Sequence, residues 1–350
     1  FFTFGQGSKY TGPYKKSSPV TYYNKKNVVI EGLDFSDLST TAITLNNCSN
    51  VTIRNCKFKN NLVKPSIYAY RSSDVTVTNN TFENVHQGFV VQAVQVLKSN
   101  GAGYSISYNA IENISGKSAP EDIINIYQSN GTVSSPITIK GNWIRGGGPS
   151  ASGGGIMMGD WGGSNQIAED NILVNPGMYG IGIAGGKNNK ICNNKVYSKQ
   201  FSYSNVAIQA ADYTPSQGGP ASNILIENNE VNFLNSRGMQ QAIWLDASMQ
   251  RVANASRATT YNSKLNEDVL PKVIIGRIEK PEEETPNQDN NSKIAQVYID
   301  RFNRITIKYL VTPIPRGYAE NYAANGQLLE TIPLPRYNQS FPVAAPKGDY

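Results

Sequence analysis

The chain has 350 residues, 39% of them hydrophobic and only 17% charged, with Gly, Asn, Ser and Thr filling much of the remainder. That is too apolar and aromatic for a disordered chain and too poor in Leu, Glu, Lys and Ala runs for a helical one, so it reads as mostly β. The net charge of +6 is uneven: residues 1–100 carry 11 basic and 5 acidic side chains, residues 101–250 carry 8 and 10, and residues 251–350 carry 13 and 11. No nucleic-acid module accompanies the basic start, which argues against a nucleic-acid partner, and no apolar run reaches the roughly 18 residues of a transmembrane helix.

Taken in chain order, the first residues, Phe1-Phe2-Thr3, offer neither an initiator Met nor a signal peptide, and the segment to Tyr23 holds one weak strand and no clear cap. The expectation is a processed chain that starts inside a longer solenoid, truncated at its N-terminus.

From residue 28 a repeat sets in. The stretches VVIEGLDF (28–35), VTIRNCKF (51–58), VTVTNNTF (75–82), YSISYNAI (104–111), ITIKGNWI (137–144), IAEDNIL (167–173), KICNNKV (190–196) and ILIENNEV (224–231) share one form. Apolar residues alternate, a polar corner follows, and an apolar residue closes the unit. The closing residues are Phe35, Phe58, Phe82, Ile111, Ile144, Leu173, Val196 and Val231, spaced 23, 24, 29, 33, 29, 23 and 35 apart. The short spacings define a coil and the longer ones are coils with insertions.

Two positions earlier runs a second column: Leu33, Cys56, Asn80, Asn109, Asn142, Asn171, Asn194 and Asn229. Six successive asparagines at one corner predict an inward ladder in which each amide bonds its own backbone and the coils above and below. A second strand precedes most of these units, and the inward pairs are Ile43/Leu45, Ile67/Ala69, Val94/Val96, Ile124/Ile126, Ile156/Met158, Ile181/Ile183, Val206/Ile208 and Ile243/Leu245. Leucine-rich repeats and doubly wound α/β folds both need helical segments that do not appear. The pattern resembles the right-handed parallel β-helix of the pectin-lyase-like superfamily, over roughly residues 20–250. The resemblance implies fold and leaves chemistry open, because this fold carries many functions.

The coil signal fades after Trp244–Asp246. The division read from the sequence is a parallel β-helix of about eight or more coils over 1–250, a connector over 251–271 and a small antiparallel β module over 272–350. That module holds an expected hairpin at 294–311, an acidic loop at 281–292 and an Asn-Gly turn at 325–326. It serves either as the cap of the solenoid or as a module for self-association or cell-surface attachment.

Candidate chemistry lies on the outward face of the second strand. One outward column reads Thr44, Tyr68, Gln95, Asn125, Met157, Gly182, Ala207 and Trp244; the next reads Asn46, Tyr70, Leu97, Tyr127, Gly159, Ala184, Gln209 and Asp246. Small residues between aromatic ones suggest a trough on whose walls a sugar ring could stack. Insertions such as RGGGPSASGGG (145–155) bring further groups near it. The candidate substrate-binding residues are Asn125, Tyr127, Trp161, Tyr179, Gln209, Asp212, Tyr213, Trp244 and Asp246. The candidate catalytic residues are Lys187, Arg237, Asp122 and Asp160, and the two aspartates are also the candidate ligands of a calcium ion with Asn125. Each carboxylate alone could equally satisfy backbone N–H groups at a strand end.

The glycines lack the strand–turn–helix context of a nucleotide site, and nothing suggests haem. The single histidine, His86, cannot build a multi-histidine metal site and reads as a surface residue. Cys48, Cys56 and Cys192 form no zinc motif, and either a local 48–56 disulfide or buried thiols fit them. The functional expectation is a secreted or cell-surface protein acting on a polysaccharide. A lyase on an acidic glycan stands slightly ahead of a hydrolase, and a noncatalytic carbohydrate-binding, adhesive or structural fibre protein is the alternative. Within that superfamily, pectate lyases pair Arg or Lys with calcium held by acidic residues, which suggests Lys187 and Arg237 as bases. The aspartate signatures of polygalacturonases and alginate epimerases are absent.

Overall fold

A computed structural model describes residues 8–85, 87–88, 91–150, 152–213 and 219–276. Beyond these it describes five strands as backbone: Ala295–Ile299, Arg304–Tyr309, Tyr318–Tyr322, Leu328–Pro333 and Gln339–Pro342. His86 and the acidic 281–292 loop lie outside the described residues. The chain divides into two compact units, Phe1–Glu279 and Lys280–Tyr350.

The first unit is a solenoid of parallel strands. Most coils contribute two short strands to a seventeen-stranded sheet, separated by the asparagine corner, and one strand to a nine-stranded sheet. The rungs align residue for residue: Val51 pairs with Val75, Ile53 with Val77, and Phe35 with Phe58. Side chains alternate in and out along each strand, so identical inward positions stack into columns. Phe35, Phe58 and Phe82 stack with ring centroids 5.3 and 4.6 Å apart, and Ile43, Ile67, Val94, Ile124, Ile156 and Ile181 form another buried column.

The asparagine ladder is present as the sequence predicts. The backbone N–H and the side-chain Nδ2 of Asn80 both donate to Asn109 Oδ1 at 3.0 Å. The same pair of bonds joins Asn109 to Asn142, Asn142 to Asn171, Asn171 to Asn194 and Asn194 to Asn229. Each amide also donates to a carbonyl of an earlier coil, as Asn142 does to Ile106, so a buried corner leaves its backbone groups satisfied. Cys56 occupies a ladder position below Asn80 and its N–H donates to Asn80 Oδ1. All three cysteines are buried free thiols, which decides against the 48–56 disulfide. A shorter ladder of Ser72, Ser99 and Ser129 turns the other corner, each hydroxyl accepting from the N–H of the coil before.

Three expectations change. The stretch expected to be a connector instead begins with a rung: Ala253–Tyr261 pairs in parallel with Ile224–Phe233, and the boundary between units falls at 279/280. Its inward residues, Ala253 and Ala255, pack on the core but are too small to register as a hydrophobic pattern. Second, Ile181 pairs with Ile208 and Ile183 with Ala210, so the inward pair of that coil is Ile208/Ala210 and the outward column passes through Gln209 rather than Ala207. Third, Tyr127 pairs with Asp160 rather than Gly159, for a reason given below.

In the second unit, Ala295–Ile299 and Arg304–Tyr309 pair antiparallel, as the hairpin pattern predicts, and Gln339–Pro342 joins them. Tyr318–Tyr322 and Leu328–Pro333 form a separate antiparallel pair on either side of the Asn-Gly dipeptide.

Candidate functional site

The site is built on the outer face of the nine-stranded sheet, where the coil carrying Ile124–Asn130 meets the coil carrying Ile156–Ser164. A regular strand would place Met157 outward, Met158 inward, Gly159 outward and Asp160 inward. The strand instead carries a bulge: Asn125 faces Met157, but Tyr127 faces Asp160, one residue late. Gly159 makes this possible with a left-handed φ of +61°, and its missing Cβ leaves room for the Gly185 carbonyl oxygen. The extra residue reverses the alternation and turns Asp160 onto the outer face beside Tyr127. Trp161 follows, 41% exposed, with its ring centroid 6.1 Å from that of Tyr127 at 32°. The two rings form a wall at the edge of the sheet.

Behind this wall lies a polar cluster. Asn125, only 3% exposed, donates from one nitrogen to Asp122 Oδ2 and to Asp160 Oδ2, each at 2.9 Å. The two carboxyl oxygens are therefore less than about 6 Å apart. Asp122, 6% exposed, also accepts from the Gly154 N–H at 3.1 Å and from the Tyr179 hydroxyl. Gly154 can approach so closely because it has no side chain; a Cβ there would stand 2.7 Å from the Tyr179 ring. Tyr179 is fully buried with Met157, Ala184 and Val206.

Burial dominates the electrostatics. It pushes the Asp122 carboxyl up to about 7, against the opposing hydrogen bonds from Tyr179 and Asn125 and with help from the Glu121 charge. The Asp160 carboxyl is raised by burial too, partly offset by Asn125 and reinforced by Glu121. Both groups are thus better proton carriers near neutrality than ordinary carboxylates. Asp122 is sealed from solvent, whereas Asp160 is half-buried on the outer face beside Tyr127.

Beyond Trp161 the surface opens into a groove of about 390 Å³ lined by Gln128, Asn130, Trp161, Ser164, Gly186 and Lys187, with Gly162 and Gly163 in its floor. Lys187 is exposed there and enters no ion pair among the described residues. The structure thus brings together Asp122, Asn125, Tyr127, Asp160, Trp161 and Tyr179, and Lys187 lines the adjoining groove that only Trp161 of these also lines.

The remaining candidates stand apart. Gln209 and Trp244 continue the outward row past Gly182. Asp246 caps a short turn, accepting from Ser248 Oγ, Met249 N and Asp212 N; burial works against its charge, but these donors hold its pKa below the usual range. Asp212 accepts from the Ala221 N–H, and Tyr213 is exposed. Arg237 sits in an exposed turn whose N–H is held by Asn235, and no contact joins it to the aspartate cluster among the described residues. Sequence reasoning missed Gln128, Asn130 and Ser164 as groove residues, because they lie where the strands run on past their recognisable alternation.

A calcium ion between Asp122 and Asp160 does not fit this arrangement. The amide nitrogen of Asn125 faces both carboxyls, a donor where a cation requires oxygen.

Among known proteins, a family model described as "Right handed beta helix region" matches residues 7–100. The fold is a right-handed parallel β-helix. No curated protein gives a significant match. A solved structure with some likeness is the catalytic domain of a GH87 alpha-1,3-glucanase variant in complex with tetrasaccharides, at 12% identity and a TM-score of 0.31. The alignment covers 73% of this chain and 64% of that one, so this chain spans less than two thirds of that domain. No helix among the described residues is long and apolar enough to cross a membrane.

Proposed function

We propose that this protein is a glycan-cleaving enzyme in which Asp160 is the proton-transferring residue. One observation carries the reading: a glycine bulge turns a carboxyl with a raised pKa outward, beside the aromatic pair Tyr127 and Trp161. Tyr127 and Trp161 offer the flat apolar face that a sugar ring stacks on, and Asp160, held by Asn125, stands next to it, placed to pass a proton to a leaving glycosidic oxygen. Asp122 is too enclosed to meet the sugar and acts as a positioning residue, fixing the Asn125 amide that holds Asp160. In hydrolysis, which we place first, water bonds to the anomeric carbon as the glycosidic C–O bond breaks, the leaving oxygen takes a proton from Asp160, and the proton lost by the water returns to that carboxylate. A second reading, β-elimination on a uronate-containing chain, is favoured by Lys187, an exposed cation on the groove wall that could face a carboxylate. A polymeric glycan places the protein outside the cell or at its surface, and we assign the separate C-terminal unit to attachment there or to self-association.

The test is to incubate the protein with a panel of neutral and acidic polysaccharides and follow reducing ends together with absorbance near 235 nm. New reducing ends without absorbance support hydrolysis, and both together support elimination. Neither signal on any substrate would move the protein to the noncatalytic glycan-binding class.

A further inference from the structure

The outward columns hold a period that the cluster at Asp160 does not explain. Hydrogen-bonded neighbours place Tyr23, Asn46, Tyr70, Leu97, Tyr127 and Asp160 in one row, one residue per coil. All six are on the outer face, and none is buried. Aromatic rings occupy every second position: Tyr23, Tyr70 and Tyr127, with Trp161 joining the last. Neighbouring strands lie about 4.8 Å apart, so rings two coils apart stand about 10 Å apart. That is close to the length of two sugar residues in a fully extended chain.

The edge of the row is basic at its centre. The residue that follows each member of the row is left-handed: Asn24, Asn47, Arg71, Lys98, Gln128 and Trp161, with φ between +46° and +55°. Arg71 and Lys98 are adjacent and exposed, and neither enters an ion pair among the described residues. The Arg71 guanidinium lies 5.0 Å from the centroid of the Tyr70 ring, beside the platform rather than withdrawn from it.

We propose that this row is a binding track for an extended, two-fold glycan ribbon lying along the solenoid axis. Alternate sugars stack on Tyr127, Tyr70 and Tyr23, and acidic substituents meet Arg71 and Lys98. A chain with two residues per turn presents the same ring face at every second sugar, which is the period of the platforms; a coiled chain does not stay in register with them. The track rests on the glycan reading above and extends it from one subsite to a chain that runs from the Asp160 coil towards the N-terminal coils.

The experiment measures binding without turnover, by calorimetry with Asp160→Asn protein. The probes are β-1,4-linked oligomannuronates from the disaccharide to the octasaccharide, with cello-oligosaccharides as the neutral ribbon and malto-oligosaccharides as the coiled chain. Affinity is expected to rise in steps of about two- to tenfold, one step for every two sugars added. The steps should persist, weaker overall, for the neutral ribbon and be missing for the coiled chain. Tyr70→Ala should abolish the gain from lengthening while leaving the shortest ligand unchanged, and Tyr23→Ala, an exposed site 61% accessible, should remove only the last step with an unchanged melting temperature. A smooth rise with length, equal binding of the coiled chain, or no effect of either variant overturns the track. If the steps are seen but wild-type protein cleaves none of these chains, the enzyme reading falls and the track stands; if wild type cleaves and both variants keep their length dependence, the track alone falls.

Discussion

Asp122 shows how much one side chain's surroundings matter. Its folded pKa is raised to about 7 by burial, so the native state holds a proton that the unfolded chain, with an ordinary carboxyl, gives up near pH 4. Between about pH 4 and 7 the native state binds more protons, and stability from this group is present in full at the acid end and falls as pH rises, levelling above about 7. Asp122→Asn removes the titration. Denaturant unfolding at a series of pH values should therefore show the variant gaining on wild type steadily across that window, by roughly 1.4 kcal/mol for each step of one in pH. A wild-type-minus-variant difference that is flat with pH contradicts the raised pKa. The residue's candidacy was legible from its place beside a strand, but its burial was not, because Gly154 comes from an insertion whose path the repeat does not dictate and Tyr179 stands at the start of its strand, ahead of the recognisable pair Ile181/Ile183.

At the scale of the element, the decisive feature is the bulge in Ile156–Ser164. Strict alternation read from the sequence sends Asp160 inward and Gly159 outward; one extra residue in the strand reverses this, and nothing in the local pattern except a glycine signals it. The same limit explains the misplaced Ala207, where small apolar residues fill both faces and leave the register unspecified. Gly159→Ala would put a side chain in the left-handed region and against the Gly185 carbonyl. We expect a loss of about 1–3 kcal/mol in chemical denaturation and at least a tenfold fall in glycan cleavage, since Asp160 loses its aim. Wild-type turnover in that variant would show that the bulge does not direct the carboxyl.

Across the whole solenoid, the fold was readable because a column repeats one residue with one physical task. Asn142 is the clearest case: it accepts from the Asn109 N–H and Nδ2 and donates to Asn171 and Ile106, all in a buried corner. Replacing it with Ala strands several of these groups, each costing about 1–3 kcal/mol, and thermal or urea unfolding should show a loss of several kcal/mol. A near-neutral Asn142→Ala would mean that water replaces the ladder. Function does not repeat in this way. It depends on where one coil breaks the pattern, so the sequence delivers the architecture coil by coil but only the neighbourhood of the site.

The most direct measurement is a paired one on Asp160→Asn: the rate of glycan cleavage, and glycan binding followed by tryptophan fluorescence. If Asp160 transfers the proton, cleavage falls by about a hundredfold or more while binding stays close to wild type, because Tyr127 and Trp161 are untouched. Cleavage at the wild-type rate in Asp160→Asn would contradict the account.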